Sequence, residues 1–249
     1  MSYSEERTLT RTDLRALAYN HQETRCVGRL AVPEGAGPHP AVLVLHDARG
    51  LGDGTARRAH ALARQGYVAL AADLYGDEAY FPDPKLAGPT LAPLLDDPAK
   101  LRERTIAAFE ALCALDIVDP GKVGAVGFCL GGRCVLELAR SGAALQAGVS
   151  LHGLLTTAMP AREGSVQARL LILTGAHDPY APAEDVETLQ REMTAASVDH
   201  HITIYSDGWH GFSDEEAGDM RNVPGVRYDP LLDRLSWAQT LAFFDALLA

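Results

Sequence analysis

A cysteine, an aspartate and a histidine at turn-like positions are the residues of this chain best suited to chemistry, and together they could carry out acyl transfer. In VGAVGFCLGGRCVLELA, from Val123 to Ala139, a run of small and β-branched residues stops at Gly127-Phe128-Cys129-Leu130-Gly131-Gly132, and a helical pattern begins. A nucleophile on a tight strand-to-helix turn needs glycine on both sides, because the backbone there packs too closely for Cβ atoms. Gly127 and Gly131 fill those places around Cys129. The sulfur would then sit at the N-terminal end of the following helix, where the macrodipole and free N–H groups favour a thiolate. Taken alone, the motif fits a nucleophile and a buried inert thiol about equally. Its candidate partners follow in the order nucleophile, acid, histidine. After LLILT comes GAHDPYAP, with Asp178 just past the apolar run, and after HITIY comes SDGWHGF, with His210 between glycines. His177 and Asp207 compete for these roles but match the arrangement less well, and each also reads as an exposed loop residue.

Positioning such residues requires a rigid sheet. Strand-like segments are expected at Arg25–Val32, Ala41–His46, Tyr67–Ala72, Lys122–Phe128, Ala147–His152, Arg169–Thr174 and His201–Tyr205. Helical patterns fit at Thr55–Gln65, Ala99–Leu115, Leu130–Ser141, Ala183–Ser197 and Ser236–Leu248. Short apolar strands alternating with amphipathic helices predict an α/β fold, with a mainly parallel central sheet and helices on both faces. Gly66 and Gly142 stand where left-handed helix caps are expected, and Asp119-Pro120-Gly121-Lys122 reads as a turn before a buried strand. Gly76–Pro98 carries Pro82, Pro84, Pro89, Pro93 and Pro98, a poor composition for strand or helix, and is expected to be a rim or lid segment at about 76–98. Ser213–Asp229 is also polar and turn-rich. A solvent-exposed excursion without a role is the alternative for both.

Composition sets the bounds. With 249 residues, 47% hydrophobic and 22% charged, the chain suits a single domain over 1–249 with one large core. A formal net charge of −11 argues against binding nucleic-acid phosphates or an anionic membrane, both of which need clustered Lys and Arg. The N-terminal MSYSEERTLTRTDL has no apolar signal-like core, and no uncharged apolar run is long enough to span a bilayer, so a cytoplasmic protein is expected. Cys26, Cys113, Cys129 and Cys134 form no CxxC and no zinc-like Cys/His cluster, so neither a disulfide framework nor a metal site is suggested. Cys26, Cys113 and Cys134 read as small core residues. No oligomeric state follows from the sequence, and a monomer is compatible with it.

In its motifs GFCLGG, GAHDPYAP and GWHGF, in this order and over nearly the whole chain from about Arg25, the sequence resembles the dienelactone hydrolase family of the α/β-hydrolase superfamily. The resemblance implies a triad of Cys129, Asp178 and His210 and hydrolysis of a small ester or lactone through a thioester, with no metal and no organic cofactor. It further implies an oxyanion hole of two backbone N–H groups, from Leu130 and, by family position, Ala48. Two departures bear on substrate. A glutamate that commonly follows the oxyanion-loop histidine and helps set the state of the resting cysteine is replaced here by Asp47. Arginines expected soon after the DLY segment and after the catalytic histidine are absent, and Asp77 and Asp214 stand in those neighbourhoods. A carboxylate-bearing substrate is therefore disfavoured and a neutral or differently anchored ester fits better.

Arg49 could replace the missing clamp, or be a capping or surface arginine. Tyr75, Trp209 and Phe212 are pocket candidates, Trp209 and Phe212 by their position beside His210; Tyr80, Phe81 and Tyr180 read by default as core or solvent-facing rings. His152, His200 and His201 look like strand-end or surface histidines, without ligand-spaced acids. Two other functions stay open: an esterase or thioesterase for an unrelated acyl group, and a ligand-binding or redox-sensing protein in which Cys129 responds to oxidant.

Overall fold

The computed structural model describes residues 10–219 and 223–249. The start of the N-terminal stretch (1–9) and part of the turn-rich stretch Ser213–Asp229 (220–222) lie outside the described residues. The chain divides into two compact units, one up to Val123 and one from Gly124 onward.

In the first unit β1 (Arg15–His21), β2 (Thr24–Ala31), β3 (His39–Leu45) and β4 (Val68–Ala71) lie in the order β1-β2-β4-β3, with α1 (Asp53–Ala63), α2 (Gly88–Asp96) and α3 (Pro98–Cys113). β1 and β2 form an antiparallel hairpin from Arg15↔Leu30 to His21↔Thr24, β2 meets β4 antiparallel, and β3 runs parallel to β4. β1 is absent from the sequence expectations. Only Tyr19 and His21 of its seven residues are buried and the turn Gln22-Glu23 lacks hairpin glycine, so its ladder with β2 is what makes it a strand.

The proline-rich segment also departs from expectation: it holds α2 after a single 3₁₀ turn at Pro84–Ala87. Pro89 lies in the first helical turn, where a missing N–H costs nothing. Asp83 and Asp97 accept the N–H groups of Lys85 and Lys100, capping the 3₁₀ turn and α3.

β5 (Val118–Phe128) leads into the second unit, where it lies parallel beside β6 (Ala147–Leu151), β7 (Arg169–Gly175) and β8 (His200–Tyr205), in that order. β5 takes in the expected Asp119–Lys122 turn, whose residues stay solvent-accessible within it. α4 (Leu130–Arg140), α5 (Ala183–Ala195) and α6 (Pro230–Leu248) accompany these strands, α6 starting six residues before the apolar pattern suggested. Asp229 sets that start by accepting the N–H groups of Leu231 and Leu232.

The faces can be assigned from small residues. A side chain at Gly124 would meet Phe244 and Leu248 of α6, whereas one at Gly148, on the opposite face, would meet Val135 of α4. Helices thus cover both faces of this parallel sheet, and β6 is buried along its whole length. The register Phe128↔Leu151↔Leu173 brings three carboxyl ends level, so the residues just beyond them leave from one edge.

Asp73, just past β4, anchors the first unit. Its fully buried carboxylate accepts four backbone N–H groups, from Val27 and Glu78 on one oxygen and from Tyr75 and Gly76 on the other, at 2.8–3.1 Å. Both oxygens face donors, so an amide there would point an NH₂ group at two of them. Asp73→Asn is expected to destabilise the protein by about 2 kcal/mol or more, read as a lower urea midpoint with an unchanged m-value.

Candidate active site

Cys129 sits between β5 and α4 with φ 52° and ψ −110°, outside both strand and helix geometry. Gly127 makes the corner possible, since a Cβ there would overlap the Gly131 carbonyl group. The Cys129 amide donates to the Leu151 carbonyl at 3.1 Å, tying the corner to the end of β6. Cys129 itself is partly exposed, and Cys26 and Cys134 are buried. Burial pushes the Cys26 thiol up to about 11, with the Asp73 charge adding to it, and burial does the same at Cys113, helped by Glu110. Leu130 opens α4, so its N–H belongs to the first-turn donors that have no carbonyl within the helix.

Asp178 and His210 meet in a buried pair. The imidazole Nδ1 is 2.8 Å from Asp178 Oδ2, while Asp178 Oδ1 accepts the Tyr180 N–H at 2.8 Å. Their loops run side by side because Gly175 and Gly208 touch backbone to backbone, with the His177 N–H donating to the Gly208 carbonyl at 2.9 Å. Farther along, the His210 N–H donates to the Gly225 carbonyl and the Arg227 N–H to the His210 carbonyl, so residues 225–227 hold the histidine from its other side. Cys129 also acts on this imidazole. Burial works to lower the imidazole, but the negative charge of Cys129 and the hydrogen bond and charge of Asp178 outweigh it and raise His210 to about 10. A sulfur nucleophile, an imidazole that can give or take a proton, and a carboxylate that orients the ring are the parts needed for acyl transfer.

The expected pocket residues divide. Phe212 is fully buried and edge-on to Tyr205 and His152, a core ring and not a pocket wall. Trp209 is stacked on His177 with centroids 5.2 Å apart. Tyr180, by default a core or solvent ring, is the aromatic at His210, with centroids 4.7 Å apart. In the first unit, Tyr75 lies edge-on to His46 and its hydroxyl donates to the Ala48 carbonyl at 2.6 Å. Arg49 grips the carboxylate of Asp47 with Nε and Nη2, at 3.2 and 2.6 Å, and adds its own N–H at 2.7 Å. Asp77 is exposed and 3.6 Å from Arg25, and Asp214 accepts the Glu216 N–H.

His152 is not a surface histidine: it is 1% exposed and its ring lies 5.4 Å from that of His210. Only the register of β6 against β5 and β7 reveals this, since the motif SLHG carries no signal of its own. No group of histidines, cysteines and acids suited to a metal ion occurs among the described residues, and no described helix is long and apolar enough to cross a membrane.

The dienelactone hydrolase family model matches residues 27–248. A putative carboxymethylenebutenolidase of Synechocystis is 30% identical over 211 residues, 77% of this chain and 83% of that protein. A dienelactone hydrolase-like promiscuous phosphotriesterase from metagenomic libraries is 37% identical, with a TM-score of 0.87 over 94% of this chain and 98% of its own. A putative dienelactone hydrolase from Klebsiella pneumoniae shares the fold at a TM-score of 0.74 and 24% identity, covering 93% of this chain and 97% of its own.

Two outcomes are expected. Gly127→Ala must spread the corner, because the clash is with backbone, and should cost about 3 kcal/mol in chemical denaturation. A histidine raised from 6.5 to about 10 holds its proton more tightly folded than unfolded, so its stabilisation is complete below 6.5 and is lost as pH rises through about 10. His210→Gln should therefore flatten the fall of the thermal midpoint over that window.

Proposed function

The chain belongs to the dienelactone hydrolase family, and from that premise we propose that it hydrolyses small, neutral esters or lactones with Cys129 as nucleophile. The thiolate sulfur attacks the carbonyl carbon, and the resulting oxyanion is stabilised by the Leu130 N–H, with the Ala48 N–H the second donor that the family resemblance implies. Collapse of the adduct expels the alkoxide, which takes the proton from His210, and leaves a thioester on Cys129. His210 then removes a proton from water, the hydroxide adds to the thioester carbonyl, and Cys129 departs as thiolate. Asp178 keeps the ring in register and stabilises the imidazolium throughout. No metal or organic cofactor has a part in these steps. The substrate is a small molecule met in the cytoplasm, and nucleic acid and membrane have no place in this reading of so acidic a chain.

The 2.8 Å contact between buried Asp178 and His210, an imidazole on which Cys129 also acts, carries this reading. A thiol that served only to sense oxidant would need no oriented general base. The neutral-substrate preference rests on the absent arginines, with Asp77 and Asp214 in their neighbourhoods, and Arg49, the candidate replacement, has its guanidinium engaged by Asp47.

The test is a panel of aryl esters and lactones, neutral and carboxylate-bearing, with an aryl phosphotriester added because one relative is a promiscuous phosphotriesterase. Wild type should favour neutral carbonyl compounds. Cys129→Ala and His210→Ala should lower turnover by about a thousandfold or more, and Asp178→Asn by up to about ten-thousandfold. An acyl adduct trapped on Cys129 by mass spectrometry should accompany wild-type turnover. Full activity in Cys129→Ala would sink the proposal, and oxidation of Cys129 without any acylation would favour the sensor.

A further inference from the structure

We propose that His152 is a positioning residue for the catalytic histidine, acting through Ser213 to lock the segment 210–213; this rests on the triad reading above. His152 follows the last residue of β6 and adopts φ 38°, in the left-handed region that is strained for a residue with a side chain. Such a conformation persists only where the surroundings hold it, and here they do. The His152 N–H donates to the Leu173 carbonyl at 2.8 Å, and the neighbouring Leu151 carbonyl receives the Cys129 N–H at 3.1 Å. Residues 151 and 152 therefore carry the backbone of the nucleophile and the end of β7 at the same time.

The ring continues this link to the base. Its Nε2 is 2.9 Å from Ser213 Oγ, and both residues are buried, at 1% and 4% exposure. It meets Phe212 edge-on at 5.0 Å and His210 at 5.4 Å with planes 70° apart, and Phe128, the residue before the nucleophile, lies at 6.2 Å. One imidazole thus stands between the residue preceding Cys129 and the residues following His210. The proton path proposed above does not run through it, and Nδ1 of His210 is met by Asp178. Asp178 fixes the catalytic ring from the side of β7, and His152 fixes the loop that carries it from the side of β6. A ring held at one point only can pivot about the Asp178 bond, and small misplacements of a reacting group are expensive in rate.

Ser213→Ala removes a single oxygen, and His152→Phe keeps a ring but removes its nitrogens. Each should lower kcat/KM for the best ester about tenfold or more, and the double variant should be no worse than the worse single one, because both delete the same hydrogen bond. A second measurement needs no turnover: the pH dependence of Cys129 alkylation by iodoacetamide, followed by mass spectrometry. With a poorly held His210 beside the sulfur, its midpoint should move to higher pH in both variants, with little change in the thermal midpoint of Ser213→Ala. Should His152→Phe fail to fold, Ser213→Ala decides alone. An unmoved alkylation profile with kcat/KM within twofold of wild type would overturn the inference, as would simple additivity in the double variant. If wild type hydrolyses nothing in the panel while the alkylation midpoint still shifts, the positioning role stands and the hydrolase reading is the one that fails.

Discussion

Removing one Cβ atom, at Gly127, lets the chain turn from strand into helix within the span of Cys129. Any side chain there would occupy the space of the Gly131 carbonyl group, and the left-handed φ of 52° at Cys129 is the form the backbone takes when the two segments close on one another. The Cys129 amide bonds across to Leu151, so the corner is fastened to the neighbouring strand as well as to its own. Because β5, β6 and β7 end level, the same edge of the sheet that carries the thiol also carries His152 and the loop of Asp178. The rest of the site is arranged around this corner.

Electrostatically, the site is a small exception within an acidic protein. The chain carries a formal charge of −11, yet what acts on the His210 imidazole is local: burial, Cys129 and Asp178. Burial by itself opposes the charged imidazole, and the charge and hydrogen-bond effects of Cys129 and Asp178 reverse the outcome.

Elsewhere, buried charge serves the scaffold. Asp73 is satisfied by four backbone N–H groups, an arrangement in which the ligands are the chain itself. Arg140 of α4 meets Glu137 and Glu192 and donates to the Leu155 carbonyl, while Glu192 also accepts the Ala161 N–H. That network ties α4, which begins just after Cys129, to α5 and to the long loop after β6. Removing one member would leave a buried charge without its counterpart, which is far costlier than the net worth of the intact group.

The α/β alternation, the seven strands from β2 to β8 and the glycine-flanked corner were legible in local patterns, because apolar runs and turn glycines leave their mark within a few residues. The types and order of Cys129, Asp178 and His210 were legible for the same reason. β1 was not, since its sparse pattern becomes a strand only through its ladder with β2, and α2 was hidden by its prolines, Pro89 in its first turn and Pro93 in its interior. Trp209 and Phe212 show the limit plainly: both flank His210 in sequence, yet Trp209 stacks on His177 and Phe212 enters the core, while Tyr180 from another loop covers the imidazole. His152 and Ser213 are sixty-one positions apart and meet at 2.9 Å. By itself, the sequence determined the chemical groups and the turns that present them, since both depend on local residue type and spacing. Tertiary structure alone decided which rings surround His210, because strand register and the crossing of loops are set by the packing of the whole sheet.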